Sequence, residues 1–225
     1  MYASSLENTS LRARRELYGL LAELLSFPTR ELGEAISHGN LARSLRGVAS
    51  ALPYHIDVGS AGFRGHIDPT DLEAEYIRLF DLPGGGKPCP LYTGVYAPAR
   101  REAMEELLRF YRHFGVTLGN QGRDLPDAVP TVVEFQQYLV LREAAADSVS
   151  GHQARAAQSD LLNRHLRPWA AATRPRLKSR IPEPFYEAVI ALADEMFTAD
   201  AAYLETALET SPGDPIQYAD HPVRV

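Results

Sequence analysis

The residue types best suited to chemistry in this 225-residue chain gather in the loop "LPGGGKPCPLYTGVY" at 82–96 and in "GRDLPDAVPTVVEFQQYL" at 122–139. The loop holds the glycine run Gly84 to Gly86, the prolines Pro83, Pro88 and Pro90, and Cys89, the one cysteine of the chain. A phosphate-binding loop would need G-x-x-x-x-G-K-[ST], whose backbone N–H groups surround the phosphates while a hydroxyl reaches the metal. Asp81 stands where its first glycine should be, and Pro88 replaces the hydroxyl residue and also lacks an N–H. Nucleotide hydrolysis is therefore not expected. No glutamate has a histidine three residues later and no two of the seven histidines lie at i, i+4, so neither a di-metal carboxylate site nor an HExxH zinc site is present. A G-x-S-x-G elbow is also absent, and Cys89 sits among prolines with no histidine base nearby in sequence. Cys89 reads as a small packing residue, and His113 and His165 as solvated or hydrogen-bonded side chains. The chain is not expected to be an enzyme or to hold a metal.

Two charged patterns remain. The segment 164–180 carries Arg164, Arg167, Arg174, Arg176, Lys178 and Arg180, which read as a solvated helix face and helix end where cations suit the dipole. The sharper reading of the same residues is an anion site for a phosphate-bearing cofactor. Further upstream, Asp127 is placed to cap a helix whose first turn tolerates Pro130, and Glu134 follows seven residues later. Two helical turns put both carboxylates on nearly one face. If that face opens near Tyr92 and Tyr96, it offers negative charge beside aromatic surface, suited to a peptide with arginines and apolar residues. Taken singly, Asp124 and Asp127 are ordinary turn and capping residues, Glu134 an exposed helix residue, and the tyrosines core.

The elements that must position these residues are helices. Leu17, Leu20, Leu21, Leu24 and Leu25 recur at the spacing that forms one apolar stripe, as do Met104, Leu107, Leu108 and Tyr111, and Val189, Leu192, Ala193, Met196 and Phe197. In "DPTDLEAEYIRLF", Asp68 and Pro69 mark a helix start, which carries Tyr76, Leu79 and Phe80 toward the loop. The pattern predicts an all-α bundle of about seven to nine helices with neither sheet nor repeat: one domain over 1–210 and a polar tail over 211–225. The net charge of −6 disfavours nucleic acid as a partner, and no apolar run approaches the length of a membrane span. A single cysteine fits a reducing compartment, and the expected location is the cytoplasm. Arg14 and Arg15 precede an apolar stretch as in an export signal, but Glu16 and Glu23 interrupt that stretch, so no targeting role is expected.

"EYIRLF" (75–80), "PCPLYTGVY" (88–96), "MEELLRFYRHFGV" (104–116) and "DLPDAVPTVVEFQQYL" (124–139), in this order, resemble the TorD/DmsD/NarJ family of redox-enzyme maturation chaperones. Their details look most like the nitrate reductase and type II dimethyl sulfoxide reductase branch. The resemblance implies a TorD-like, all-helical cytoplasmic chaperone, monomeric or homodimeric, that binds the cofactor-free catalytic subunit of a molybdenum oxidoreductase. The contact is often that subunit's N-terminal twin-arginine leader. The implied task is to keep the client competent for insertion of molybdopterin guanine dinucleotide, and to delay export or membrane docking. No cofactor would be bound permanently, and contact with molybdopterin guanine dinucleotide would be transient. Carried over by position, Pro88, Pro90, Tyr92 and Tyr96 belong to the peptide groove, joined by Asp124, Pro126, Asp127, Glu134 and Phe135. Many family members have histidine after the second motif's aspartate, where this chain has Ala128. The rival readings are a nucleotide- or cofactor-handling protein and a structural helical subunit of a redox complex.

Overall fold

Thr29 opens a short helix by accepting from the Leu32 N–H at 3.3 Å, and Asp68 opens another by accepting from the Thr70 N–H at 2.8 Å with Pro69 in its first turn. Other helices start without such a cap: Gly39 and Ala99, which precede the helices over 40–49 and 100–113, make no side-chain capping bond. The computed structural model describes residues 2–58, 62–65, 67–81, 88–118, 125–145, 148–180 and 184–210. Among these residues the chain is all-α: α1 (Tyr2–Leu24), α2 (Arg30–Ser37), α3 (Asn40–Ala49), α4 (Pro69–Tyr76), α5 (Arg100–His113), α6 (Val129–Ala145), α7 (Ser148–Leu161), α8 (Arg167–Lys178) and α9 (Pro184–Thr210). A wide π-type turn (Ile77–Asp81) continues α4, another (Leu162–Leu166) joins α7 to α8, and a 3-10 turn spans Thr93–Tyr96. The only sheet-like feature among the described residues is one antiparallel bridge between Tyr92 and Ala128. The tail over 211–225, Asp124 and Gly84 to Gly86 lie outside the described residues.

The predicted stripes supply much of the core, although in α5 only Leu107 and Tyr111 are buried while Met104 and Leu108 are partly covered. Val189, Leu192, Ala193, Met196 and Phe197 of α9 are all buried, together with Trp169 of α8 and Phe185 and Tyr186 at the start of α9. In α1, Leu17, Leu21, Leu24 and Leu25 are buried whereas Leu20 is only partly covered, which turns it toward a surface groove. Gly19 lets α1 approach α6 closely, since a Cβ there would stand 2.5 Å from Gln137 Nε2.

Arg14, part of the arginine pair with signal-like flanks, is instead a core residue with no exposed surface. Its Nε donates to Asp200 Oδ1 at 2.6 Å, Nη1 to Glu143 Oε2 at 3.1 Å and Nη2 to Gln158 Oε1 at 2.6 Å. Tyr18 donates to Asp200 Oδ2 at 2.6 Å, and Arg155 Nε to Glu143 Oε1 at 2.8 Å. Burial by itself would lower the Arg14 pKa, but the Asp200 and Glu143 carboxylates more than offset it and leave it raised. Two guanidinium groups thus face two carboxylates, and the network ties α1, α6, α7 and α9 together.

Candidate functional site

The two motif segments are stitched to each other. Cys89 N–H donates to the Leu79 carbonyl at 3.1 Å, fastening the loop strip to the turn that ends α4. Thr93 N–H donates to the Asp127 carbonyl at 2.8 Å and Val129 N–H to the Leu91 carbonyl at 2.9 Å, so 88–96 lies against the start of α6. The Trp169 indole N–H donates to the Pro90 carbonyl at 3.3 Å, anchoring the strip from below. These contacts satisfy part of the backbone of a proline-containing strip whose regular structure is limited to the Tyr92–Ala128 bridge and the 3-10 turn Thr93–Tyr96.

Beside the strip lies a cavity of about 260 Å3 lined by Phe27, Tyr76, Phe80, Leu91, Tyr92 and Pro130. Ser26 and Phe27 also line a second cavity of about 560 Å3 between α1, α2, α3 and α6, where Leu20, Glu23, Leu32 and Glu134 contribute. Gly19, Leu20, Glu23, Glu134 and Gln137 are shared with a third opening of about 610 Å3 that ends at Arg12 and Arg15. The shared residues place these openings side by side, in a groove-like row from Tyr92 past Phe27 to Glu134 and on to the two arginines. Phe27 is 50% exposed at its centre and rests edge-on against Tyr76, ring centroids 5.4 Å apart. Tyr76 in turn packs edge-on against Phe80 at 5.2 Å, so the exposed ring stands on an aromatic base continuous with the core.

The expected site residues divide. Tyr92 and Glu134 line the groove. Pro88 and Pro90 are half-buried members of the strip. Phe135 is 4% exposed and packs edge-on against Tyr111 at 4.7 Å, while the Pro126 carbonyl accepts from the Tyr111 hydroxyl at 2.8 Å. These two support the site from within. Tyr96 turns toward α8, with the Arg176 guanidinium 4.9 Å from its ring centroid. Asp124 lies outside the described residues.

The expectation that Asp127 and Glu134 share one helical face is corrected. Asp127 precedes Val129, the first residue of α6, so helical periodicity does not extend to it. Its side chain turns inward and is fully buried, while Glu134 faces outward into the groove. Asp127 forms no side-chain cap, since neither carboxylate oxygen has a hydrogen-bond partner among the described residues. The nearby cation is Arg100, with Nε 3.6 Å from Oδ2.

Sequence reasoning missed Leu20 and Glu23 of α1, Gln137 of α6 and Phe27 in the turn after α1, all of which line the groove. "FPTR" reads only as a turn, and Leu20 is one leucine among five in a stripe. It missed Arg100 as well. The basic segment is largely engaged: Arg164 pairs with Glu106 at 2.6 Å, Arg174 with Asp194 at 2.8 Å, and Arg167 Nη1 donates to Asn163 Oδ1 at 2.5 Å. Among the described residues no three His, Cys, Asp or Glu side chains gather as a metal site, and no helix is long and apolar enough to cross a membrane.

The profile described as "nitrate reductase delta subunit" matches residues 39–174, more than half of the chain. The chain belongs to the nitrate reductase delta subunit family. The matched span takes in all four motifs and runs from α3 into α8. Relatives in this family include the perchlorate reductase assembly chaperone protein of Dechloromonas aromatica (strain RCB), 30% identical over 196 residues that cover 83% of this chain and 88% of that protein. The selenate reductase assembly chaperone protein of Thauera selenatis is 39% identical over 124 residues, 52% of this chain and 64% of that one. The nitrate reductase molybdenum cofactor assembly chaperone NarJ of Escherichia coli (strain K12) is 35% identical over 80 residues, 35% of this chain and 33% of that one. The names of these delta-subunit family relatives are those of assembly chaperones, not of catalysts. That agrees with the resemblance carried by the motifs.

Proposed function

We propose that this chain is a dedicated, non-catalytic chaperone for the catalytic subunit of a molybdenum oxidoreductase of the dimethyl sulfoxide reductase family. It binds a leader or N-terminal segment of that subunit before the cofactor is inserted. The observation that carries the reading is the row of adjoining openings from Tyr92 past Phe27 to Glu134, in a family member with relatives named as assembly chaperones.

The groove suits an amphipathic segment. Apolar side chains of the client cover Phe27, Leu20 and Tyr92, and this burial supplies most of the affinity. Glu23 and Glu134 attract basic residues at the middle of the groove and so set register, while Arg12 and Arg15 favour an acidic residue at its far end. The strip with Pro88 and Pro90 acts as a stiff wall, because prolines restrict the backbone and lower the ordering entropy of binding. Pro126 and Phe135 hold the base of the site, Asp127 is its buried acid, Tyr96 belongs to its margin, and Asp124 is a client contact by its motif alone. Molybdopterin guanine dinucleotide is the client's cargo, met only transiently. The setting is the cytoplasm, before export or membrane docking, and residues 1–210 act as one unit, monomeric or paired.

The test is capture of the cofactor-free catalytic subunit from cells co-expressing both proteins, compared with the cofactor-loaded subunit. The chaperone should retain the former and release the latter. Undiminished capture by a Tyr92→Ala/Glu134→Ala double variant would refute the site, and stoichiometric retention by the mature enzyme would favour a structural subunit instead.

A further inference from the structure

Asp127 is a fully buried carboxylate whose two oxygens accept no hydrogen bond among the described residues. Such a group is costly to keep unless something compensates it. The compensation present is incomplete. The closest approach of Arg100 is its Nε, 3.6 Å from Oδ2 and beyond hydrogen-bond reach, and its side chain is 47% exposed. The paired fork that a guanidinium ordinarily presents to a carboxylate is not used.

Three further features show how the contact is built. Arg100 is the first residue of α5, where a cation opposes the helix dipole, so its position does not serve the helix. Its guanidinium carbon lies 5.9 Å from the ring centroid of Tyr92, the same ring that lines the end of the groove. Gly94 roofs the carboxylate without a side chain: a Cβ there would stand 2.6 Å from Asp127 Oδ2 and 3.0 Å from Arg100 Cγ. The absent side chain leaves the space through which Arg100 approaches the acid.

We infer that Arg100 is a resident stand-in for an arginine of the client: it fills the Asp127–Tyr92 notch in the free chaperone and swings out when a client guanidinium takes the carboxylate. The inference rests on the client-binding reading above and adds a residue that sets its specificity. Exchange is easy because a half-exposed guanidinium regains water as it leaves, whereas an incoming one gains two charge-assisted hydrogen bonds and the face of Tyr92. While Arg100 occupies the notch, only a fraction of the protein is competent to bind, and apparent affinity is reduced by that fraction. A segment without arginine leaves Arg100 undisplaced and forgoes the buried acid.

The experiment uses the full chain and a synthetic peptide of the N-terminal segment of the client's catalytic subunit. A second peptide carries neutral citrulline in place of each arginine. Titration calorimetry compares wild type with Arg100→Gln, Arg100→Lys and Asp127→Asn, each checked by circular dichroism. Arg100→Gln should tighten binding of the arginine peptide by about 3- to 10-fold and leave the citrulline peptide unchanged. Arg100→Lys, which keeps charge without the fork, should fall between, and Asp127→Asn should narrow the difference between the two peptides to the share set by Glu23 and Glu134. Equal or weaker binding of the arginine peptide by folded Arg100→Gln overturns the stand-in while leaving the chaperone reading intact. If Arg100→Gln fails to fold, no gain in Arg100→Lys overturns it. Failure of wild type to bind either peptide, while the cofactor-free subunit is still captured, overturns the stand-in alone. Loss of that capture as well overturns the chaperone reading with it.

Discussion

Arg14 and Asp200, 186 residues apart in sequence, meet in the core through paired hydrogen bonds, Nε to Oδ1 at 2.6 Å and Nη2 to Oδ2 at 3.1 Å. The pair joins α1 to α9, and Glu143 and Gln158 extend it to α6 and α7. The α1 wall of the groove is thereby fixed against the rest of the bundle.

Arg14→Met should lower stability by about 3–5 kcal/mol, because Asp200 is left buried without its cation. Pairing the change with Asp200→Leu should recover part of the loss, since no lone charge then remains inside. Urea unfolding of the two variants checks both, and a double variant less stable than Arg14→Met would contradict the argument.

Phe27→Ala should weaken client binding by about 1–3 kcal/mol, the range for losing a large aromatic contact at an interface. The fold should change little, because half of the ring already faces solvent. Calorimetric titration with the client segment reads the first effect and thermal unfolding the second.

Gly94→Ala should destabilise more than Gly19→Ala. The new methyl at 94 meets the Arg100 stem and the buried Asp127 carboxylate, of which the carboxylate has little room to move, and overpacking of this kind costs about 1–3 kcal/mol. At 19 it meets only the amide end of Gln137, a flexible side chain that can swing aside. Chemical denaturation midpoints of the two variants should separate in that order.

Stability should decline steeply in alkali. Burial, reinforced by neighbouring carboxylates, raises the pKa of Tyr18 and Tyr111 above the ordinary value of 10.0, and burial with Tyr76 and Glu75 nearby raises that of Tyr186. A folded pKa above the unfolded one means that the stabilisation is complete below the unfolded value of about 10 and is lost as pH rises through the folded values. The absorbance change that belongs to these buried tyrosines should therefore accompany loss of helix, not precede it. Titration of most tyrosines ahead of unfolding would contradict the burial seen here.

The helical class was readable from local pattern. The α9 stripe from Val189 to Phe197 is buried throughout, Asp68 and Pro69 start α4 as their types require, and the four motifs led to the family to which the chain belongs. Local signals suffice there because a helix is closed by bonds between residues four apart. They do not reach across the bundle. Whether an arginine is core or surface depends on acids in helices distant along the chain, so Arg14 could not be told from its exposed neighbour Arg15. Glu134 obeys the helical period, but Asp127 stands just before that period begins, and packing under Gly94 and Arg100 decides where it points. The groove exists only because α1, α2 and α3 close against α6 and the proline strip, which brings Phe27 and Leu20 beside Tyr92 and Glu134. Spacing determined the elements, and the resemblance of four motifs led to the family, while the burial of charge and the shape of the groove came from long-range packing, whose partners lie outside any local window of sequence.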